Sequence, residues 1–205
     1  MSNLIIVGAG GHTRPVIDIA VLLGYNIVGI IDTNYSGEPE KIMDIEVIGG
    51  LDILKEYHPD QADVFVAIGD NAKRKETTEE VIEQGFAIPN MVHPSAIISN
   101  SAQFGGGILI NAGAIINAMS EIGNGVILNT GAIIDHECKI GAFVHLAPGT
   151  ALAGRVQVGE GSFVGIGSSV IDKIKIGSHV MVGAGSVIIR DLADDERVVG
   201  ASKKL

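Results

Sequence analysis

Residues 128–158 read LNTGAIIDHECKIGAFVHLAPGTALAGRVQV. Within that stretch a large apolar side chain returns at every sixth residue: Leu128, Ile134, Ile140, Leu146, Leu152 and Val158. The phase continues outward, down through Ile122, Ile116, Ile110 and Phe104 to Ile98, and up through Val164, Val170, Ile176 and Val182 to Ile188. A helix repeats at about 3.6 residues and a strand at about 2, so neither keeps this time. An unbroken repeat of this kind is the mark of a solenoid, in which each unit packs only on its neighbours. Two residues before most of these positions stands a small or β-branched residue, as at Ala114, Ser120, Ala132, Thr150, Ser162, Ser168 and Ser186. Each hexapeptide therefore reads as one short strand plus a corner, and three of them make a triangular coil. Residues 98–193 supply roughly five coils, a stack ~25 Å tall at ~4.8 Å between strands. The period fixes the coil but not its hand, and crossover rules alone favour a right-handed one.

The first ninety or so residues follow a different grammar. Leu4–Val7 is a short apolar run, followed by Gly8-Ala9-Gly10-Gly11-His12. A helical pattern comes next, with Pro15 in its first turn and Val16, Ile19, Ala20 and Leu23 on one face. Ile27–Ile31 reads as a second strand ending at Asp32, residues 33–44 as polar and turn-like, and Val64–Ile68 as another buried strand. Lys73–Gln84 is helical, with Gly85 as its C-terminal cap. Strand, Gly-rich turn, helix and strand predict a parallel sheet, an α/β Rossmann-like unit over 1–92, with the solenoid over 93–205. His93-Pro94 marks the boundary, because the residue before proline leans extended.

Composition narrows the function classes. The net charge of −10 argues against a nucleic-acid partner held by a general electrostatic field. The single cysteine, Cys138, cannot form an intrachain disulfide, which fits a reducing compartment. No basic n-region precedes the first apolar strand and no run of about 18 apolar residues occurs, so neither a signal peptide nor a membrane span is expected. The chain reads as cytoplasmic.

Within the repeat, His136 stands two residues after the inward Ile134 and should point off the coil. One coil away on either side, positions 118 and 154 are Ala and Gly. This bare column leaves room for a substrate and an exposed backbone N–H at Gly154, a candidate oxyanion donor. Asp135 reads as a corner hydrogen-bonder. Cys138 invites a covalent acyl-enzyme mechanism, but it falls on the small inward position, stacked with Ser120 and Val156. His145 lies half a coil from His136, on another face, so these two do not converge on a metal within one subunit; a metal shared across a subunit interface is the alternative, and no metal is expected. Ile166 and Ala184 stack on each other. Asn111 and Asn129 are one coil apart and should form an asparagine ladder, while His58, His93 and His179 read as structural or exposed. In the first unit, the glycines between strand and helix let backbone N–H groups approach a phosphate. A dinucleotide fingerprint would place glycine at 13, where this chain has Thr13. Asp32, at the end of its strand, is placed to meet a ribose or base.

The repeat resembles the left-handed parallel β-helix of the hexapeptide acyltransferases. GAGGH at Gly8–His12, AIGDN at Ala67–Asn71, NTGAIIDHECKIG at Asn129–Gly141 and VHLAPGTALAG at Val144–Gly154 are similar to the PglD/NeuD-type sugar acyltransferases. Left-handedness is implied by this resemblance. So are a histidine general base at His136 and an acidic neighbour, Glu137, that raises its basicity. The resemblance further implies acetyl-CoA contacts at His145, Gly154, Ile166 and Ala184, and a nucleotide-sugar acceptor site at Gly10, Gly11, His12, Asp32 and Gly69. The implied enzyme is a homotrimer that acetylates the amino group of a nucleotide-linked 4-amino-sugar in surface-glycan biosynthesis. O-acetylation of a sialic acid is the nearest alternative. A zinc hydratase on the same solenoid would need three converging histidines, and a non-catalytic nucleotide-sugar-binding scaffold would need none. The family's usual VxGxPAK-like tail is replaced here by Val199-Gly200-Ala201-Ser202-Lys203-Lys204.

Overall fold

The computed structural model describes residues 2–201, so Ser202, Lys203 and Lys204 of the altered tail lie outside the described residues. The chain divides into two compact units, Met1–Pro94 and Ser95–Leu205.

In the first unit, β1 (Asn3–Val7), β2 (Asn26–Ile31), β3 (Lys41–Ile42), β4 (Ile45–Gly49) and β5 (Asp63–Val66) form one sheet in the order β3-β4-β2-β1-β5. All pairs are parallel except the β3–β4 hairpin. Helix α1 (Thr13–Leu22) links β1 to β2, and α2 (Asn71–Glu83) follows β5. Ile5, Val7, Ile31, Val64 and Val66 from the strands pack with Leu54, Val81 and Phe86 in the core. Two expectations need correction. The polar segment 33–44 is not wholly turn, because it carries β3 and the two-residue connection to β4. Met43 and Asp44 there have φ of 48° and 65°, the left-handed pair that matches strand twist. Leu23 is not on the buried face of α1. It sits just past the last turn and is exposed, while Val16, Ile17, Ile19 and Ala20 are buried.

The second unit is the predicted solenoid. Two-residue strands recur every six residues and stack in three parallel faces. The first face runs from Ile97–Ile98 to Val187–Ile188, the second from Gln103–Phe104 to Lys175–Ile176, and the third from Leu109–Ile110 to Arg197–Val198. Partners are one coil apart, as in Ile115↔Ile133, Glu121↔Lys139 and Ile127↔His145. Each second strand residue turns inward, and from Ile110 to Ile188 every member of the series is buried. Phe104 is the exception at 37% exposure and Ile98 is half-buried. Both belong to the first coil, where one flank of each rung lacks the coil below that would cover it. The small inward residues sit under the corners, and their hydroxyls satisfy corner carbonyls. Ser120 donates to Asp135 O at 2.8 Å and Ser162 to Gly177 O at 2.7 Å. The asparagine ladder is present, with Asn111 Nδ2 donating to Asn129 Oδ1 at 3.0 Å.

The corners share one backbone device. Every sixth residue from Gly107 to Gly185 has a positive φ, between 55° and 68°. At the third-to-first corner these residues are all glycine: Gly113, Gly131, Gly149, Gly167 and Gly185. At the first-to-second corner none is: the column reads Met119, Glu137, Arg155 and Lys173. The last coil is shortened. Met181 pairs with Arg197 and Ile176 bridges Leu192, two residues short of the regular spacing. The Arg190–Glu196 ion pair at 2.5 Å closes that shorter loop.

Inward and outward positions of one rung should differ sharply in energetic weight. Ile140→Ala is expected to destabilise the solenoid by about 3 kcal/mol through the cavity it leaves. Lys139→Ala, the outward neighbour, should cost under ~1 kcal/mol. Denaturant unfolding of the two variants beside the parent checks the difference, and equal losses would contradict the rung geometry.

Candidate active site

His136 occupies the first position of a first-to-second corner, just after the strand Ile133–Ile134. The local sequence holds it firmly. Asp135 Oδ1 accepts the His136 backbone N–H at 2.8 Å and the Asn117 side chain from the coil below at 3.1 Å. Asp135 is thus the corner's own hydrogen-bonder, as its position suggested. The imidazole is half-exposed, and its Nδ1 lies 2.9 Å from Glu137 Oε2. Arg155, directly above Glu137 in the corner column, donates from Nε to that same oxygen at 3.0 Å and brings Nη2 to 2.9 Å. Arg155 first, and His136 after it, hold the Glu137 carboxyl below the usual carboxylate range. Glu137 therefore stays an acceptor, Nδ1 carries the ring hydrogen in the neutral imidazole, and Nε2 keeps its lone pair. That is the tautomer of a general base.

Gly154 differs in one respect from its expected setting. It is buried rather than exposed. An ideal Cβ there would lie 2.6 Å from both Cε1 and Nε2 of His136. The bare position is thus filled by the imidazole itself, and the open side of the column is the exposed Ala118 below. The Gly154 N–H has no hydrogen-bond partner among the described residues.

Cys138 is buried, its Sγ lies 3.2 Å from Ala153 O, and burial pushes its thiol up to about 11. A neutral, inward thiol is no nucleophile, which removes the covalent acyl-cysteine alternative.

The remaining acyl-donor candidates are not brought to His136 within one chain. His145 is buried on the third face, opposite the His136 corner, edge-on to Phe163 with centroids 5.1 Å apart and 3.3 Å from Asn129 Nδ2. Ile166 and Ala184 are exposed at the third-to-first corner. No group of three or more His, Cys, Asp or Glu side chains among the described residues is arranged to hold a metal ion. No helix among them is long and apolar enough to cross a membrane.

In the first unit, parallel β1, β2 and β5 end on one side of the sheet and are followed there by Gly8–His12, Asp32 and Ala67–Asn71. An added Cβ at Gly10 or Gly11 would meet nothing within 4 Å, so their backbone faces open space. At Gly69 the added atom would lie 2.5 Å from the His12 ring, so these two are in contact. Asp32 accepts the Asn34 N–H at 3.0 Å and thus also serves its own turn. Thr13, buried at the fingerprint's third glycine position, donates its hydroxyl to Gly8 O at 2.5 Å and fastens helix to loop.

Two residues were missed in sequence. Arg155 follows from the rule that placed Gly154 beside His136, applied to Glu137 instead. Arg74 had no such signal. It is a buried guanidinium that donates to Ile68 O (3.1 Å), Gly69 O (3.2 Å) and Asn71 Oδ1 (2.8 Å). Burial lowers its pKa to about 10. Burial and then the Arg74 charge push His12 down from its ordinary value, favouring the neutral ring at neutral pH.

Residues 3–81 match the PglD N-terminal domain, and residues 155–190 match the bacterial transferase hexapeptide (six repeats). A histidine-to-asparagine variant of perosamine N-acetyltransferase from Caulobacter crescentus, solved with CoA and GDP-perosamine, is 38% identical with a TM-score of 0.93. The alignment covers 98% of this chain and 94% of that one. The acetyltransferase domain of PglB from Neisseria gonorrhoeae, solved with acetyl coenzyme A, is 37% identical with a TM-score of 0.92, covering 99% and 98%. WeeI from Acinetobacter baumannii, at 20% identity over 98% and 97% of the two chains, shares the fold with a TM-score of 0.87. The hexapeptide match and the parallel three-faced stack fit a left-handed β-helix.

Because the imidazole rests on Gly154, a methyl there should displace it. The neighbour is a side chain that can move, so Gly154→Ala is expected to fold normally. A ring moved by about 1 Å should cost on the order of 100-fold in kcat. Steady-state kinetics with thermal unfolding check both halves, and an unchanged kcat would mean the ring position is unimportant.

Proposed function

This chain belongs to the PglD/NeuD-type hexapeptide sugar acyltransferases, and from that footing we propose that it transfers the acetyl group of acetyl-CoA to the amine of a nucleotide-linked amino sugar. The observation that carries the mechanism is the Glu137–His136 pair, which presents a lone pair at Nε2 on an open corner. The acceptor nitrogen attacks the thioester carbonyl, and a C–N bond forms while Nε2 takes the nitrogen's proton. The Gly154 N–H is the candidate donor to the oxyanion of the tetrahedral intermediate. Collapse breaks the C–S bond, and the imidazolium returns the proton to the departing CoA sulfur. Glu137 compensates the positive ring while the proton is held there.

The first unit is the Rossmann-like holder of the acceptor's nucleotide. Gly10 and Gly11 offer bare backbone at the start of α1, where N–H groups and the helix dipole suit a diphosphate. His12, packed on Gly69, serves as a neutral hydrogen-bonding group beside it, and Asp32 lies at the next strand end. The relatives' nucleotide sugar, GDP-perosamine, carries such a diphosphate. The donor and the buried lone cysteine fit a cytoplasmic enzyme serving surface-glycan assembly.

The working assembly is a homotrimer. Outward positions of the second face are polar: Gln103, Glu121, Lys139, Gln157 and Lys175. Those of the first face include Ile97, Ile133 and Val187, exposed by 64%, 38% and 44%. An apolar sheet face of this kind calls for a cover. A second copy supplies one in a head-to-tail contact that closes as a ring. The acyl-donor candidates on separate sides of one chain, Gly154 and then His145, Ile166 and Ala184, are accounted for in the same way.

Incubation with acetyl-CoA and a panel of GDP-, UDP- and dTDP-4-amino sugars should give an N-acetylated product. His136→Asn should reduce the rate by about 10²- to 10⁴-fold. Turnover of a free sialic acid alone would replace the acceptor class, and full activity in His136→Asn would remove the general base. Separately, light scattering should return three times the 21.3 kDa chain mass, and Ile133→Asp should dissociate the assembly. A monomeric, active parent protein would refute the shared-site arrangement.

A further inference from the structure

We infer that Arg155 is a positioning residue for the acetyl transfer, acting through Glu137 to fix the orientation of the His136 ring. The inference rests on the reading of His136 as general base.

Three N–H groups converge on one carboxylate oxygen. Glu137 Oε2 faces His136 Nδ1 at 2.9 Å, Arg155 Nε at 3.0 Å and Arg155 Nη2 at 2.9 Å. The two guanidinium donors reach the oxygen that holds the ring, not its twin. Glu137 is partly exposed, so a lone Glu–His contact would compete with water and exchange rotamers. A planar guanidinium one coil above removes that freedom, because Arg offers paired donors in a fixed plane. The backbone adds a tie, since the Arg155 N–H donates to His136 O at 2.9 Å. Main chain and side chain of Arg155 thus grip both members of the pair. The same guanidinium is the first cause of the lowered Glu137 pKa, which keeps the carboxylate an acceptor as the medium turns acidic.

A second observation is independent of these distances. The left-handed corner position favours glycine, and the third-to-first corner uses glycine at every level. At the His136 corner the chain places Glu137 at φ 58° and Arg155 at φ 63°. The same position holds Met119 and Lys173 in neighbouring coils, so what the column supplies is register. The shared turn repeats one coil apart and sets the carboxylate and the guanidinium one above the other, where they meet at the imidazole.

The test is kinetic, on the full-length enzyme with acetyl-CoA and the acceptor it turns over. Arg155→Gln should lower kcat by about 10- to 100-fold, with the KM for both substrates unchanged. Arg155→Lys keeps the charge but not the paired donors and should recover only part of the loss. In a Glu137→Ala background, Arg155→Gln should cause no further loss, because its effect passes through that carboxylate. A raised KM for acetyl-CoA with unchanged kcat would make Arg155 a donor contact and overturn the inference, as would losses that multiply in the double variant. His136→Asn measured alongside separates the two readings. If it is inactive while the Arg155 variants are normal, only the positioning role fails. If it is active, the general base itself is lost.

Discussion

A chain that turns a corner every six residues must repeatedly enter a backbone conformation that L-residues avoid. From Gly107 to Gly185 every sixth residue does so, and the rest of the second unit depends on it. The left-handed residue sets the angle between one two-residue strand and the next. Equal angles bring the chain back over itself after three strands. Only then do residues one coil apart become neighbours, inward side chains fall into columns and backbone groups pair in parallel. Glycine meets this demand at low cost, while other residues give up roughly 1–2 kcal/mol. The distribution of side chains over these positions is therefore informative. One corner is built from glycine throughout, and the corner carrying His136 is built from Met, Glu, Arg and Lys.

Much of this was legible in the sequence because the solenoid has a single rule. An unbroken apolar series gave the rungs, and one-coil spacing gave the neighbours: Asn111 with Asn129, and His136 with Gly154. What the rule does not contain is which way a side chain leans. Gly154 looked like open space for a substrate, yet the imidazole swings up over it and the vacancy lies toward Ala118. Arg155 was within reach of the same spacing, but an exposed arginine beside a glutamate looks like an ordinary surface pair until both are found on the oxygen that holds the histidine. In the first unit the signals were local and weaker. The β3–β4 hairpin was hidden because its turn residues, Met43 and Asp44, carry no Asn-Gly or Asp-Gly mark. Buried Arg74 could not be seen at all, since its partners are mainly loop carbonyls that only the folded chain assembles.

The site also shows how a flat surface is turned into a chemical one. A three-faced prism has no natural cleft, so a single chain gives the histidine a well-held base geometry but little enclosure. Rigidity comes from the rungs below and above, Asn117 with Asp135 on one side and Gly154 with Arg155 on the other. Under the proposed trimer, enclosure comes from a neighbour. Base geometry would then be a property of one chain and water exclusion a property of the assembly, so the two could change independently.

The shortened final coil shows how much irregularity the stack tolerates. Its loop is two residues short and cinched by Arg190 and Glu196, yet Arg197–Val198 still pairs in parallel register with Met181–Val182. The ion pair thus stands in for the corner residues the loop lacks, and weakening it would be felt first as fraying of that last rung while the coils beneath stay closed.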